Sequence, residues 1–594
     1  LYINKTNDTQ KNSYLKIKFN YNLPNKYGIG TKVLAYNSGK LQYKELYTVR
    51  GFQASSEPFI HFGFDKAKKV DSLKIIWPNK TFQVLKNIAV NQTLIISPKN
   101  TKPYNYNSAK ATNNKLFEKV NDNLGIDFTH VEDNYIDFNR QKLIPYEISD
   151  HGPATAIGDL NNDGKNDIFF GGSKYIPSQI FIQKDSSYTK YNIPSIINDS
   201  IKEDVSAIIF DLNKDGKKDL FLGSGGGDFY NKMKPLLDSY YIQKDSTFIS
   251  QKLPEYFENA SVIKPNDFDG DKDMDLFVAS NAVSNDFGNI PNSYLLKNDN
   301  GNFSIVKNKS LQNSGMITNA IWDDFDGDGL QDLIVVGEWM SPKFFKNNNG
   351  ELTETDVLDK SYNGLWQSII AFDIDGDGDK DYILGNWGTN TKFKASNKYP
   401  LKMYYDDFDR NGSTETIVSL EKNGKYYPIV SLDDLYGQLV SLKKKFPSYK
   451  RFAGKTIEEI FDVESLNKAK LLEVNELRSG YLKNENGHFI FVPFGVNMQI
   501  APITSLFGYD FDGDGKTEIL AAGNYLGVKP YQGRFDSFPG AIIKNENQII
   551  SGNELGLDLL RKSVRHLNII TINNNHYLLV TINNDKAQVY KLTK

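Results

Sequence analysis

DFDGDGLQDLIVVG, residues 324–337, joins two chemistries in one short stretch. Its first nine positions hold four carboxylates and two glycines, and its last five are apolar and stop at glycine. Carboxylates need water or a counter-ion, while Leu-Ile-Val-Val needs a core, so the stretch reads as an exposed turn feeding a short buried strand.

Working outward, the pattern D-x-[DN]-x-[DN]-x-x-x-[DE] recurs seven times, beginning at Asp159, Asp211, Asp267, Asp324, Asp373, Asp407 and Asp510. These loops hold 27 of the 73 acidic residues. Carboxylates so crowded repel one another, and a hard divalent cation with oxygen ligands relieves the repulsion while fixing the turn. Calcium is the expected ion, at up to seven sites. Side-chain ligands are expected at the first, third, fifth and ninth positions, with the backbone carbonyl at the seventh. In order, the loops give Asp159, Asn161, Asp163, Lys165 and Asp167; Asp211, Asn213, Asp215, Lys217 and Asp219; Asp267, Asp269, Asp271, Asp273 and Asp275; and Asp324, Asp326, Asp328, Leu330 and Asp332. The remaining three give Asp373, Asp375, Asp377, Asp379 and Asp381; Asp407, Asp409, Asn411, Ser413 and Glu415; and Asp510, Asp512, Asp514, Lys516 and Glu518. Glycine stands sixth in all but one loop, where Lys272 must take the backbone conformation that glycine adopts freely.

An EF-hand needs a bidentate Glu at position twelve and flanking helices. Here position twelve is apolar every time, from Phe170 to Ala521, within runs such as DIFFGG and EILAAG. Each loop is therefore a strand-to-strand turn. The loops start 52, 56, 57, 49, 34 and 103 residues apart, and units of about 50 residues with several short strands have the size of propeller blades. The expected fold is all-β, a seven-bladed β-propeller over 116–594, with eight blades as the alternative. The interval of 34 suggests that the Asp373 and Asp407 loops share a blade. The last segment, from His566, offers three strands without an acidic loop, and Leu116–His130 is expected to supply a fourth that joins the ends.

Two regions depart from the repeat. At 431–480, capping-box spacings at Ser431/Asp434 and Thr456/Glu459 precede helical apolar patterns, so a helical insertion is expected, with Lys443–Lys445 on a solvated face. Residues 1–97 alternate like strands in YLKIKF, TKVLAY, SLKIIW and TLIIS and read as a small β domain. Residues 98–115 are polar and read as a linker. The opening Leu-Tyr-Ile-Asn reads like the middle of a strand, suggesting a processed or partial chain.

Composition narrows the function. A net charge of −3 offers no global basic field for nucleic acid, and no apolar run of about 20 residues would span a bilayer. The absence of Cys removes disulfides, thiolate metal sites and cysteine nucleophiles. The six histidines are scattered without metal-ligand spacing, and neither a GxSxG elbow nor a P-loop occurs. No catalytic residue is assigned. If the loops join first and second strands, the segments after the second strands emerge at the opposite end. That face is expected to bind a sugar or peptide through Tyr175, Ser224, Asn281, Glu338, Trp339, Asn386, Trp387, Asn524 and Tyr525. For Trp322, Trp339, Trp366 and Trp387, packing between blades is the favoured role and ligand contact the alternative.

The acidic loops with their glycine-stopped strands resemble FG-GAP/VCBS repeats, calcium-binding β-propellers related to the integrin α head. The stretch from Tyr47 to Ser97 is similar to the ASPIC/UnbV module of cartilage-acidic-protein-like proteins. KLIPYEISDHGPATAIGDLNNDG, the helical insertion and MQIAPITSLFGYDFDGDG resemble large bacterial surface proteins in which that module separates two propellers. The resemblance implies an upstream propeller, a place on the extracellular face of a Gram-negative outer membrane or secretion, and partnership with a transporter of the SusC/SusD type that imports glycans or peptides. The expected function is a non-catalytic, calcium-stabilised surface binding protein. The alternative is a calcium-dependent polysaccharide lyase or glycoside hydrolase.

Overall fold

The structure, a computed structural model, describes Lys5 and residues 11–49, 51–106, 115–244 and 247–593. The chain divides into two compact units, Leu1–Asn113 and Asn114–Lys594.

In the first unit, Tyr14–Phe19 lies between antiparallel Ile60–Gly63 and parallel Gln92–Ile96. A second sheet runs Lys40–Glu45, Lys32–Asn37, Lys69–Ile76, Thr81–Ala89, Lys102–Pro103. Alternation sends Leu15, Ile17 and Phe19 from one sheet and Val33, Ala35, Leu73 and Ile75 from the other into a common core around fully buried Trp77. The indole N–H of Trp77 donates to Gln83 Oε1 at 3.2 Å, so the buried polar atom is satisfied. The edge strand Lys102–Pro103 comes from the stretch expected to be a linker. Residues 107–114 of that stretch and the opening Leu1–Asn4 lie outside the described residues.

The second unit is built of eight small sheets among the described residues. Four follow one another at 155–191, 204–251, 259–306 and 316–355, each with four antiparallel strands in chain order, and in the last Gly364–Leu365 also pairs with the second strand. The second strand of each is apolar and buried along its length, as in Asp167–Phe170, Asp219–Ser224 and Asp332–Met340. The fourth is edge-like and mostly exposed, as in Ser187–Tyr191. That gradient is what a sheet needs when both faces of its middle strands are covered by neighbouring sheets. The fifth sheet pairs Ser368–Phe372 and Asp381–Gly385 with the distant Gly480–Glu485 and His488–Pro493. The sixth occupies 505–551. The seventh joins Ser563–Ile572, Asn575–Asn583 and Gln588–Leu592 to Phe117–Lys119, with Tyr590 opposite Lys119.

The eighth sheet is carried between the second and third strands of the fifth. Its order is Lys425–Pro428, Glu415–Lys422, Leu401–Asp406, Lys470–Val474. The Asp407 loop is its hairpin turn, so the Asp373 and Asp407 loops belong to different sheets. The inserted stretch is thus longer than its helical part. The helices run from Leu432 to Lys468 in short pieces, with both capping boxes formed as the spacing requires. They bury Leu435, Leu439, Ile457 and Ile460 against Tyr404 and Ile417 of the inserted sheet.

Apolar clusters link the sheets in order. Phe169 and Ile180 meet Leu220 and Tyr241; Phe221 and Tyr240 meet Leu276 and Leu296; Phe277 and Leu295 meet Leu333 and Phe345. Farther along, Phe344 meets Tyr382 and Phe489, Ile383 meets Ile519, and Leu520 meets Leu578. Finally Phe128 and Phe170, stacked at 4.1 Å, meet Leu579 and Val589, so the seventh sheet packs on the first.

Candidate metal sites

Every acidic loop closes on its own carboxylates. In the first, Asp159 Oδ1 accepts from Asp163 N at 3.1 Å and Oδ2 from Gly164 N at 2.8 Å, while Asp163 Oδ1 accepts from Lys165 N at 2.9 Å. The same bonds recur in the loop at Asp324, from Asp328 N, Gly329 N and Leu330 N. Such a turn needs a left-handed backbone at the sixth position, and Gly164, Gly216, Gly329, Gly378, Gly412 and Gly515 all have φ between +81° and +97°. Lys272 takes the same conformation at φ +72°, as its position requires, and its N–H still reaches Asp267 Oδ2 at 3.0 Å.

The ninth residue faces inward. Asp167 accepts from Leu160 N and from Gln183 N of the third strand, both at 2.9 Å, so its carboxylate clamps the loop to the sheet. Asp219 and Asp381 bind in the same way. Burial pushes the carboxyls of Asp167, Asp219, Asp332 and Asp381 up to about 6, and those of Asp275 and Glu415 to about 7.

Five loops gather three or more carboxylates at metal-binding distance. The groups are Asp267, Asp269 and Asp271; Asp324, Asp326 and Asp332; Asp373, Asp375 and Asp381; Asp407, Asp409 and Glu415; and Asp510, Asp512, Asp514 and Glu518. The loops at Asp159 and Asp211 have Asn161 and Asn213 third, so amide oxygens stand where the others have acids. Asp409 Oδ1 and Glu415 Oε1 of one loop are buried without a hydrogen-bond partner. Hard oxygen donors converging with orphaned buried oxygens suit a divalent cation such as calcium. Bound there, the ion would supply positive charge and tie the first strand to the second.

The face expected to bind ligand is largely covered by the chain itself. Ser224, Asn281, Glu338, Trp339, Asn386, Trp387, Asn524 and Tyr525 are all buried, and only Tyr175 is exposed. The cover is the segment 130–152. Its Ile144, Tyr146 and Ile148 enter a core with Trp339, Trp387 and Tyr525. Tyr146 Oη donates to Glu338 Oε2 at 2.7 Å and accepts from Trp339 Nε1 at 3.0 Å, and Gln367 Nε2 donates to Glu338 Oε1 at 2.7 Å. Burial raises the Glu338 carboxyl to about 7. Tyr525 Oη donates to Glu147 O at 2.6 Å, and Asn281 contacts His151. Asn386 and Asn524 instead hold backbone: Asn524 Nδ2 donates to Phe538 O, Leu559 O and Lys562 O. The alternation of Ile144, Tyr146 and Ile148 is the sequence signal for this cover, an apolar face in a segment without a repeat of its own. Trp322 stacks on Phe268 between neighbouring sheets at an interplanar angle of 8°. A cavity of about 750 Å³ runs past Met316, Glu338, Trp339 and Asn363.

Small antiparallel sheets, all but one of the eight in the second unit turned by an acidic nine-residue loop, define a mostly-β repeat protein. The profile of the FG-GAP-like repeat family matches residues 159–222, 267–335 and 324–384, and that of the ASPIC and UnbV family matches residues 22–103. The chain therefore carries an ASPIC and UnbV segment followed by FG-GAP-like repeats. A search of curated proteins finds no match. Solved structures similar to it include the Vibrio cholerae biofilm matrix protein Bap1, at 12% identity and TM-score 0.35, covering 81% of this chain and 92% of that one. Others are BBS1N in complex with ARL6DN, at 10%, 0.36, 81% and 98%, and Saccharomyces cerevisiae Sqt1, at 8%, 0.34, 76% and 100%. No helix among the described residues is long and apolar enough to cross a membrane.

Proposed function

We propose that the second unit is a seven-bladed β-propeller whose acidic loops hold calcium, and that the protein is a non-catalytic binding protein of a bacterial cell surface. Seven sheets share one arrangement, each packs on the next, and the seventh takes a strand from the start of the unit. The inserted sheet is an excursion from the fifth blade and not an eighth blade. The observation that carries the reading is the set of acidic loops converging carboxylates at cation distance. Sites of this kind suit extracellular calcium, where affinities of about 10⁻⁴–10⁻³ M suffice. Within this reading the protein is secreted or sits outside the outer membrane, and serves a transporter of the SusC/SusD type by binding a glycan or peptide.

One observation favours a second reading, a polysaccharide lyase or hydrolase: Glu338 lines the cavity of about 750 Å³ and its carboxyl is raised to about 7, the range of a general acid. Incubation with a panel of polysaccharides in calcium separates the two. Retention of a polysaccharide without cleavage, abolished by chelator, supports the binding reading. New reducing ends or unsaturated products that vanish in Glu338→Gln overturn it.

A further inference from the structure

The acidic loops are not equally charged, and the difference has a counterpart elsewhere in each sheet. At the four side-chain positions, the loops beginning at Asp267, Asp324, Asp373 and Asp510 carry four acids. The other three carry three, because Asn161, Asn213 or Asn411 replaces one. In every four-acid loop a lysine on the third strand of the same sheet reaches the third-position carboxylate. Lys297 meets Asp269, Lys346 meets Asp326, Lys483 meets Asp375 at 3.1 Å, and Lys544 meets Asp512. Three of these ammonium groups also touch a second ligand-position acid: Asp271 at 3.0 Å, Asp328 at 2.9 Å and Glu518 at 3.3 Å.

Among the described residues, no three-acid loop has such a lysine on its third strand. The third-strand residue whose N–H clamps the ninth position is Gln183 in the first sheet and Gln243 in the second. In the third and fourth sheets it is Asn298 and Asn347. The residue just before it is Lys297 and Lys346 in the latter pair, but Ile182 and Ile242 in the former. Beside the Asp407 loop, the strand Lys425–Pro428 pairs only from Ser419 onward, at the end far from the loop. Counting only the acids at the four side-chain positions and this lysine, the sum is three negative charges in each of the seven loops.

We infer that the third-strand lysine is a working part of the cation site in four of the loops. It is a fixed counter-charge that offsets the fourth carboxylate, holds the third-position acid in line and sets the strength of cation binding. A divalent ion then leaves the same residual negative charge of one over these positions in every loop. Before loading, the ammonium also reduces the repulsion that would otherwise open the four-acid turns. The inference rests on the reading of the loops as cation sites and concerns residues outside the nine-residue pattern.

The loop at Asp324 is the place to test it. Trp322 lies two residues upstream and stacks on Phe268 of the neighbouring acidic loop, so it sensitises Tb³⁺ luminescence in these two loops. Terbium and calcium titrations of the full chain compare the parent with Lys346→Ile, Asp326→Asn and the double variant, which rewrites this loop after the one at Asp159. Affinity is expected to follow net charge. Lys346→Ile binds about ten-fold tighter, as a unit charge some 6 Å from the ion implies; the double variant binds like the parent; Asp326→Asn binds weakest. In chelator the order of thermal stability changes, with Lys346→Ile the least stable and its loss recovered by adding Asp326→Asn. Lys346→Met, which keeps the unbranched stem, repeats the test should the isoleucine disturb the strand. Unchanged or weaker binding in both lysine variants overturns the inference and leaves the cation sites standing. If neither metal binds the parent chain, the cation reading falls first and takes this one with it.

Discussion

Tyr146 satisfies two buried partners with a single hydroxyl, the Glu338 carboxylate and the Trp339 indole. Tyr146→Phe takes the partner from the buried Trp339 indole N–H and leaves the Glu338 carboxyl with Gln367 alone, and should destabilise the second unit by about 1–3 kcal/mol in urea denaturation. Glu338 gives a pH signature. Its folded value of about 7 lies above the ordinary 4.5, so the native state holds a proton that the unfolded chain has lost. The associated stability is complete below about 4.5 and disappears as pH rises through about 7, a change on the order of 3 kcal/mol that Glu338→Gln should abolish. Lys272, alone among the sixth positions in lacking glycine, stands at φ +72°. Lys272→Gly removes that strain at some cost in chain entropy and should stabilise by roughly 0.5–1 kcal/mol, read as a rise in melting temperature in calcium.

At the scale of the element, the strand Phe117–Lys119 completes the seventh sheet, with Phe117 buried against Phe511. Phe117→Asp places an unpaired charge in that core and should lower stability by about 3 kcal/mol or more, with the loss confined to the second unit in hydrogen exchange. The acidic turns were legible in the sequence because each is local, a repeated nine-residue pattern before an apolar run; this strand was legible despite its distant partner because the last sheet lacked a fourth strand. The inserted sheet was not. Its strand Leu401–Asp406 pairs with Lys470–Val474 across a helical stretch, and pairing at that range leaves no periodic mark. The cover formed by 130–152 escaped for a related reason. Ile144, Tyr146 and Ile148 alternate like any strand, but they pack against side chains from several sheets at once. The residues assigned to a ligand face were polar or aromatic in the right places, and that is also the composition of a buried, hydrogen-bonded seam.

For the whole molecule, the two units should answer differently to loss of metal. Acidic loops lie only in the second, so calorimetry with and without chelator should show one transition that moves down and returns with calcium, and another that stays. A chelator-insensitive trace in both would count against cations as structural members of the fold. The fold class and the repeat were readable before any coordinates, because seven copies of one turn chemistry repeat at the spacing of a small sheet. The order of the sheets in space was fixed less directly, by which apolar faces remain uncovered once each sheet is formed.

Threonine 593 hydrogen-bonds to the carbonyl of Lys115 across a sequence separation of 478 residues. A ribosome or translocon releases the early partner long before the late one exists. The growing polypeptide must therefore wait with one flank unzipped until the stretch around Thr593 emerges, a period of exposure in which chaperones would have the most to do.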